Sequence, residues 1–267
     1  MNAVLAERRV TLKSPAQIEK MAIAGRLVAE VLDRLESEVR AGVTTDDLDA
    51  IAVEMIRGAG ATPSFIGVPG RLAPFRHSLC ISIDNEVVHG IPGKRRIREG
   101  ELVSVDAGAI VDGWHGDAAR TFIVGDVPDE ARVLVETTKR AMYAGINAAV
   151  PGNHIVDIGA AIEDIARASG YGIVRAFVGH GIGTEMHEEP QVTNYRSGAR
   201  GRRLEPGLCL AIEPMFTLGR HDVRVRDDGW TVETVDGRLA ALWENTIAIT
   251  LDGPRILTTN GDAATAA

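Results

Sequence analysis

The sequence predicts an α+β protein of two similar halves, each running helix, helix, strand, strand, with all four helices packed on one shared sheet. Three observations predict it. Helical and strand-like periodicities alternate in the same order twice along the 267 residues. Gly42, Leu48, Ala52, Ile56 and Gly60 recur 110 residues later as Gly152, Ile158, Ile162, Ala166 and Gly170. Between these blocks lies a short hairpin that turns two aspartates to one face.

Each element has its own signal. Ser14-Pro15 opens the first helix with a cap residue and a first-turn proline. Ile18, Met21, Ala22, Ala24, Gly25, Val28, Val31, Leu32 and Leu35 give that helix one apolar side. Gly42 ends the segment. Thr44 or Thr45 caps a second helix, whose apolar side is Leu48, Ile51, Ala52, Met55 and Ile56 and which stops at Gly58-Ala59-Gly60. Residues 65–74 read as loop and 79–83 as a short strand. In the second half, 128–150 is a long helix, Pro151-Gly152 a break and 154–169 another helix, ended by Gly170. Strands are expected at 173–178, 208–216 and 243–249. The matching continues into the loops: His89-Gly-Ile-Pro92 pairs with His187-Glu-Glu-Pro190, and the run ending at Asp106 pairs with the run ending at Glu213.

The hairpin spans residues 103–124, VSVDAGAIVDGWHGDAARTFIV. Asp112-Gly113 is a favoured two-residue turn because both positions need positive φ. That register sets Val111 opposite Trp114 and Asp106 opposite Ala119, with Asp117 on the same face as Asp106. Strand alternation sends Arg120 to the other face, so it cannot neutralise the pair. A divalent metal can.

The repeat adds donors to this point. Glu213 is the partner of Asp106, Glu244 holds the place of Asp117, and His180 lies between glycines in Gly179-His-Gly-Ile-Gly183. Four carboxylates and one imidazole exceed what one ion needs, and bridging carboxylates let two ions sit ~3.5–4 Å apart. Oxygen-rich sets of this kind suit Mn, Fe(II) or Co(II). The chemistry implied is hydrolysis of a peptide or similar acyl bond. His89 and His187 remain as donors to the scissile carbonyl and to the leaving nitrogen or backbone. His77, His115, His154 and His221 have weaker claims.

Composition bounds the partners. The net charge of −8 argues against a dedicated nucleic-acid surface. Cys80 and Cys209, the two cysteines, lie in apolar runs and indicate neither a disulfide framework nor a thiolate zinc site. The first residues lack an apolar signal core and no run reaches membrane-spanning length, so a cytoplasmic protein is expected. Residues 1–13 are expected to form an N-terminal extension and 14–260 one domain, with halves at about 14–125 and 126–260. Residues 261–267 are expected to be a flexible C-terminus. Nothing demands an oligomer, and a monomer is expected.

These residues resemble bacterial type I methionine aminopeptidases of the pita-bread metallopeptidase family. The resemblance runs from about Leu12 to Leu257 and is carried by Asn85-Glu-Val-Val-His89-Gly-Ile-Pro92, Asp112-Gly-Trp-His-Gly-Asp117, Gly179-His-Gly-Ile-Gly183, Met186-His187-Glu-Glu-Pro190, Ile212-Glu213-Pro214-Met215 and Glu244-Asn-Thr246. It implies helices on a curved antiparallel sheet. It implies Asp106, Asp117, His180, Glu213 and Glu244 as ligands of two divalent ions (Co, Mn or Fe(II), with Zn as a further candidate), Asp117 and Glu244 bridging. His89 and His187 would contact substrate, with Glu213 as a proton shuttle. The implied reaction removes the initiator methionine from nascent chains with a small second residue, using a hydroxide held between the ions. Association with the ribosome follows from the family's role alone.

A methionine pocket is implied at Phe65, Val68, Cys80, Met186 and Trp230, with Phe75 beside them. Val68 and Met186 stand where an aromatic is usual. The stretch 68–79 is a few residues longer than in the family, and Gly108 replaces a residue that often carries a hydroxyl near one ion. The nearest rival, an aminopeptidase P or prolidase, shares the ligand set but normally carries an extra N-terminal domain, for which residues 1–13 leave no room. A pita-bread binding module that had lost catalysis should show broken ligands. A plain αβ structural domain would have to hold four converging carboxylates without metal, against their mutual repulsion.

Overall fold

The computed structural model of the protein describes residues 10–261. Residues 1–9 of the expected extension and 262–267 of the expected flexible C-terminus lie outside the described residues. Helix α1 (Pro15–Glu36) starts on a capping box, in which Ser14 accepts from the Gln17 N–H and the Gln17 side chain accepts from the Ser14 N–H. Thr44 and Asp47 repeat the device on α2 (Thr45–Gly58). In the second half, α3 spans Asp129–Ala148 and α4 spans Ile155–Ser169, the latter ending on Gly170 in the left-handed region.

Each half buries its own helix faces. Leu32 and Leu35 of α1, with Leu48 and Ile56 of α2, pack on Leu79, Ile81, Val103 and Val105. Leu134 and Met142 of α3, with Ile158 and Ile162 of α4, pack on Leu210, Ile212, Phe216 and Ile247. Each such side chain contributes about 1.5–3 kcal/mol on leaving water.

The two cores share one antiparallel sheet of nine strands. Its path runs Thr62–Pro63, Leu102–Val111, Trp114–Ile123, Glu244–Thr250, Cys209–Ile212, Gly179–Gly181, Glu188–Val192. Leu79–Ile83 joins beside Leu102–Val111, and Gly253–Ile256 joins beside Glu244–Thr250. The halves meet where Trp114–Ile123 pairs with Glu244–Thr250, through Ala119 with Glu244 and Ala118 with Asn245. A three-stranded sheet of Val223–Val225, Val232–Thr234 and Glu86–Val88 packs nearby.

Two expected strands differ from those observed. The strand expected at 173–178 is only Gly172–Ile173; past the Val174 bond to Met215 the chain bends, and the Phe177 and His89 rings meet in a T-shaped contact. The strand expected at 208–216 is broken into Cys209–Ile212 and Met215–Thr217. Pro214 lacks the N–H a ladder needs, so the interruption falls at Glu213-Pro214.

Candidate metal centre

The hairpin has the expected register: Val111 faces Trp114, Asp106 faces Ala119, and Asp117 faces Gly108. Asp112 and Gly113 both have positive φ, 48° and 80°, as a primed turn requires. Arg120 leaves by the other face and pairs with Asp33 of α1.

All five expected donors converge at the seam between the halves. One donor atom each from Asp117, His180 and Glu244 lies within 4.8 Å of the others. His180 Nε2 is 3.8 Å from Asp117 Oδ2 and 3.6 Å from Glu213 Oε1. Asp106 stands across Ala119 from Glu244. Asp117, Glu244 and His180 are buried, while Asp106 and Glu213 keep part of their surface open. Among the described residues no lysine or arginine forms an ion pair with any of the four carboxylates.

The electrostatics are those of a site built for a cation. Asp106 Oδ1, Asp117 Oδ1 and Glu244 Oε1 are buried with no hydrogen-bond partner. Unpaired buried carboxylate oxygens are costly. Burial first, and then neighbouring carboxylates, hold Asp117, Glu213 and Glu244 well above the ordinary carboxylate range. Burial raises Asp106 as well. The residues therefore fit divalent cations, which would satisfy the orphaned oxygens and remove the repulsion.

The candidate ligands are held from behind. Thr246 Oγ1 donates to the Asp117 carbonyl at 2.8 Å and accepts from the Asp117 N–H at 3.1 Å. The Asn194 side chain donates to the Glu213 carbonyl at 3.1 Å. His180 Nδ1 is 2.9 Å from the Gly181 carbonyl, which leaves Nε2 for the centre. Gly108 leaves room for Ser64, whose Oγ lies 3.1 Å from where a Cβ would stand. That hydroxyl is 3.0 Å from His115 Nδ1, so one of the histidines with a weaker claim is tied behind the centre.

His89 and His187 flank the acids. The His187 ring lies 4.5 Å from that of His180 and is exposed. His89 is partly buried and has φ 59°, a strained conformation for a non-glycine residue at a working position. Burial, with a lesser contribution from His187, pulls both His89 and His180 down to about 4. A cavity of about 290 Å³ opens between these groups, lined by His89, His180, His187 and Glu213 together with Phe177, Gln191 and Met215. A larger one, of about 940 Å³, reaches Glu244 but none of the other donors.

The expected apolar pocket is also brought together. Phe65, Phe75, Cys80 and Met186 form one buried cluster with Val68 and Trp230 against it. The Trp230 ring meets Phe75 at 5.0 Å and His89 at 6.3 Å, which places the cluster beside the histidines. Trp114 belongs to the cluster and was not anticipated, although it sits inside the quoted Asp-Gly-Trp-His-Gly-Asp run. Phe177, Gln191, Met215 and Thr246 were likewise missed. Met215 and Thr246 end the quoted runs Ile212-Glu213-Pro214-Met215 and Glu244-Asn-Thr246, which was the signal available for them.

Two similar halves that aim acids and an imidazole at their seam define the class, a pita-bread metal-dependent hydrolase. The chain belongs to metallopeptidase family M24, whose profile matches residues 19–251. It is 48% identical over 250 residues to a methionine aminopeptidase of Clostridium acetobutylicum, covering 93% of this chain and 98% of the relative. The solved methionine aminopeptidase of Rickettsia prowazekii superposes with a TM-score of 0.90 at 37% identity, over 94% of this chain and 100% of that one. The Thermotoga maritima enzyme gives 0.90 at 38%, with the same coverage of 94% and 100%.

Proposed function

We propose that this chain removes the initiator methionine from new polypeptides whose second residue is small, by metal-dependent hydrolysis of the first peptide bond. The observation that carries the reading is the convergence of Asp106, Asp117, His180, Glu213 and Glu244 at one seam, with three buried oxygens left unpaired. The family and the methionine aminopeptidase relatives support it. These five residues would hold two divalent ions, Asp117 and Glu244 serving both. The donor set suits Co(II), Mn(II) or Fe(II), and Zn(II) also accepts such donors. When bound, the ions supply Lewis acidity, which makes water nucleophilic near neutral pH and polarises the scissile carbonyl.

The chain's own groups do the rest. The methionine side chain enters the cluster of Phe65, Val68, Phe75, Cys80, Met186 and Trp230, where aromatic edges and apolar walls favour a thioether. Glu213, open to the cavity, takes a proton from the attacking water at its carboxylate and returns it to the leaving amine. His89, being neutral, presents one ring N–H, and His187 lines the same cavity as a second donor. One donates to the scissile carbonyl oxygen as charge develops there, and the other holds the leaving nitrogen or the substrate backbone.

The remaining assignments belong to the same reading. Residues 14–260 are one catalytic domain with halves at about 14–125 and 126–260, acting as a monomer in the cytoplasm on nascent peptides, in association with the ribosome. Among the described residues no helix is long and apolar enough to cross a membrane. The test is a peptide panel assayed after metal stripping and refilling. Met-Ala-Ser is cleaved, Met-Lys-Ser is not, and activity returns only with divalent metal. Preferential cleavage of Xaa-Pro bonds, or methionine release by fully stripped protein, would overturn the reading.

A further inference from the structure

Lys13 precedes α1 and is buried, its side chain 4% exposed. Its ammonium meets Glu188 Oε2 at 2.5 Å and donates to Thr11 Oγ1 at 2.7 Å. Thr11 Oγ1 donates to the same Glu188 oxygen at 2.7 Å. The other carboxylate oxygen, Oε1, accepts the backbone N–H groups of Thr184 at 2.9 Å and Glu185 at 3.3 Å. A buried ion pair is a poor way to gain stability, because apolar residues of equal volume serve as well or better. What it does well is fix geometry.

The geometry it fixes lies beside the proposed chemistry. Residues 182–187 connect the strand that carries His180 to the strand that begins at Glu188. This connection holds Met186 and His187. A Cβ on Gly183 would lie 2.4 Å from Glu188 Oε1 and 2.5 Å from Lys13 Cε, so the ion pair presses directly on the loop backbone. The Gly183 carbonyl accepts the His115 N–H at 2.9 Å, behind the metal centre. The far end of the brace is fixed too, because the Lys13 N–H donates to the Gly207 carbonyl at 2.7 Å.

We propose that Lys13 and Glu188 are positioning residues, a buried ion pair that holds loop 182–187 so that His187 and Met186 face the substrate. The inference rests on the reading of those two residues as substrate contacts. Glu188 lines the cavity, but both its carboxylate oxygens are engaged by Lys13, Thr11 and the loop N–H groups.

The test compares Lys13→Met, Lys13→Arg and Glu188→Gln in the full-length, metal-loaded protein. Lys13→Met lowers kcat on Met-Ala-Ser by about 30–100-fold, the scale of a misplacement near 1 Å, while metal affinity stays within about threefold because no ligand is touched. Lys13→Arg keeps the charge and recovers most of the rate. Adding Glu188→Gln to Lys13→Met costs less than the two single losses combined, as a coupled pair requires. Amide hydrogen exchange supplies a readout that needs no substrate: in Lys13→Met it accelerates by roughly tenfold or more in 182–188 and not in the core strands. A folded Lys13→Met protein with unchanged kcat and unchanged exchange overturns the proposal. So does an arginine variant as impaired as the methionine one, or a rate loss matched by an equal loss of metal affinity. If Lys13→Met does not fold, Glu188→Gln against Lys13→Arg decides by the same readouts. Faster exchange in 182–188 of a protein whose wild type never cleaves methionyl peptides supports the brace and overturns only the assigned reaction.

Discussion

Asp106 and Glu244 are register partners of the same residue, Ala119, reached from opposite sides of the strand Trp114–Ile123. One comes from the first half of the chain and the other from the second. A three-strand step across a small alanine is what lets two acids from distant sequence share one point with Asp117. The seam of the duplicated fold is therefore the candidate site.

Removing a shared acid should remove the function. Asp117→Ala or Glu244→Ala is expected to weaken metal binding by more than the roughly 10–100-fold that outer partners of a metal site cost, and to abolish turnover. Titration calorimetry and Met-Ala-Ser hydrolysis check this. Full turnover by either variant would count against the shared-ligand model.

His89 should matter to rate and little to folding. Without its side chain, kcat is expected to fall by about 10²–10³, as for loss of one positioned donor to a developing oxyanion. The midpoint of thermal unfolding should barely move, and His89→Asn, which also tolerates positive φ, should share the rate loss. An unchanged kcat in His89→Ala would remove it from the site.

Thr246 supports Asp117 from behind and is fully buried. Thr246→Val leaves the Asp117 N–H and carbonyl without this partner, at a cost of about 1–3 kcal/mol for each buried group left unsatisfied. Lower unfolding temperature together with weaker metal binding is the expected pair of results. A variant with wild-type metal affinity would show that the brace does not orient the ligand.

Metal removal should make stability depend on pH in a definite direction. Asp106, Asp117, Glu213 and Glu244 have raised folded-state values, first through burial. In the folded, stripped protein they keep protons that the unfolded chain has lost. Their contribution is unpenalised below the ordinary carboxylate range near about pH 4, and is lost as pH rises through neutrality toward the raised values. The unfolding temperature of stripped protein should fall between about pH 5 and about pH 8, while loaded protein changes less and the gap widens. A stripped protein that gains stability over that range would contradict the crowded-acid account.

Much of this was legible in the chain because it is local. Caps at Ser14 and Thr44, helical periodicity and the Asp112-Gly113 turn act over a few residues, so the helices and the hairpin register followed from them. The hairpin pointed to Asp106 and Asp117, the repeat to Glu213 and Glu244, and the glycine-flanked run to His180. The break at Glu213-Pro214 was signalled by proline and still read through, because the apolar run continued on both sides.

What the sequence by itself determined is the secondary structure, its twofold repetition and the identity of the acids and histidines, since residue type, spacing and turn chemistry act at short range. The tertiary structure alone decided that Thr246 grips Asp117 across 129 residues, that His187 lies against His180, and that Lys13 reaches Glu188 across 175. Those partners are selected by how two helix-covered half-sheets close on each other. A single polar side chain carries no mark of which distant backbone group it will meet until that packing has brought them together.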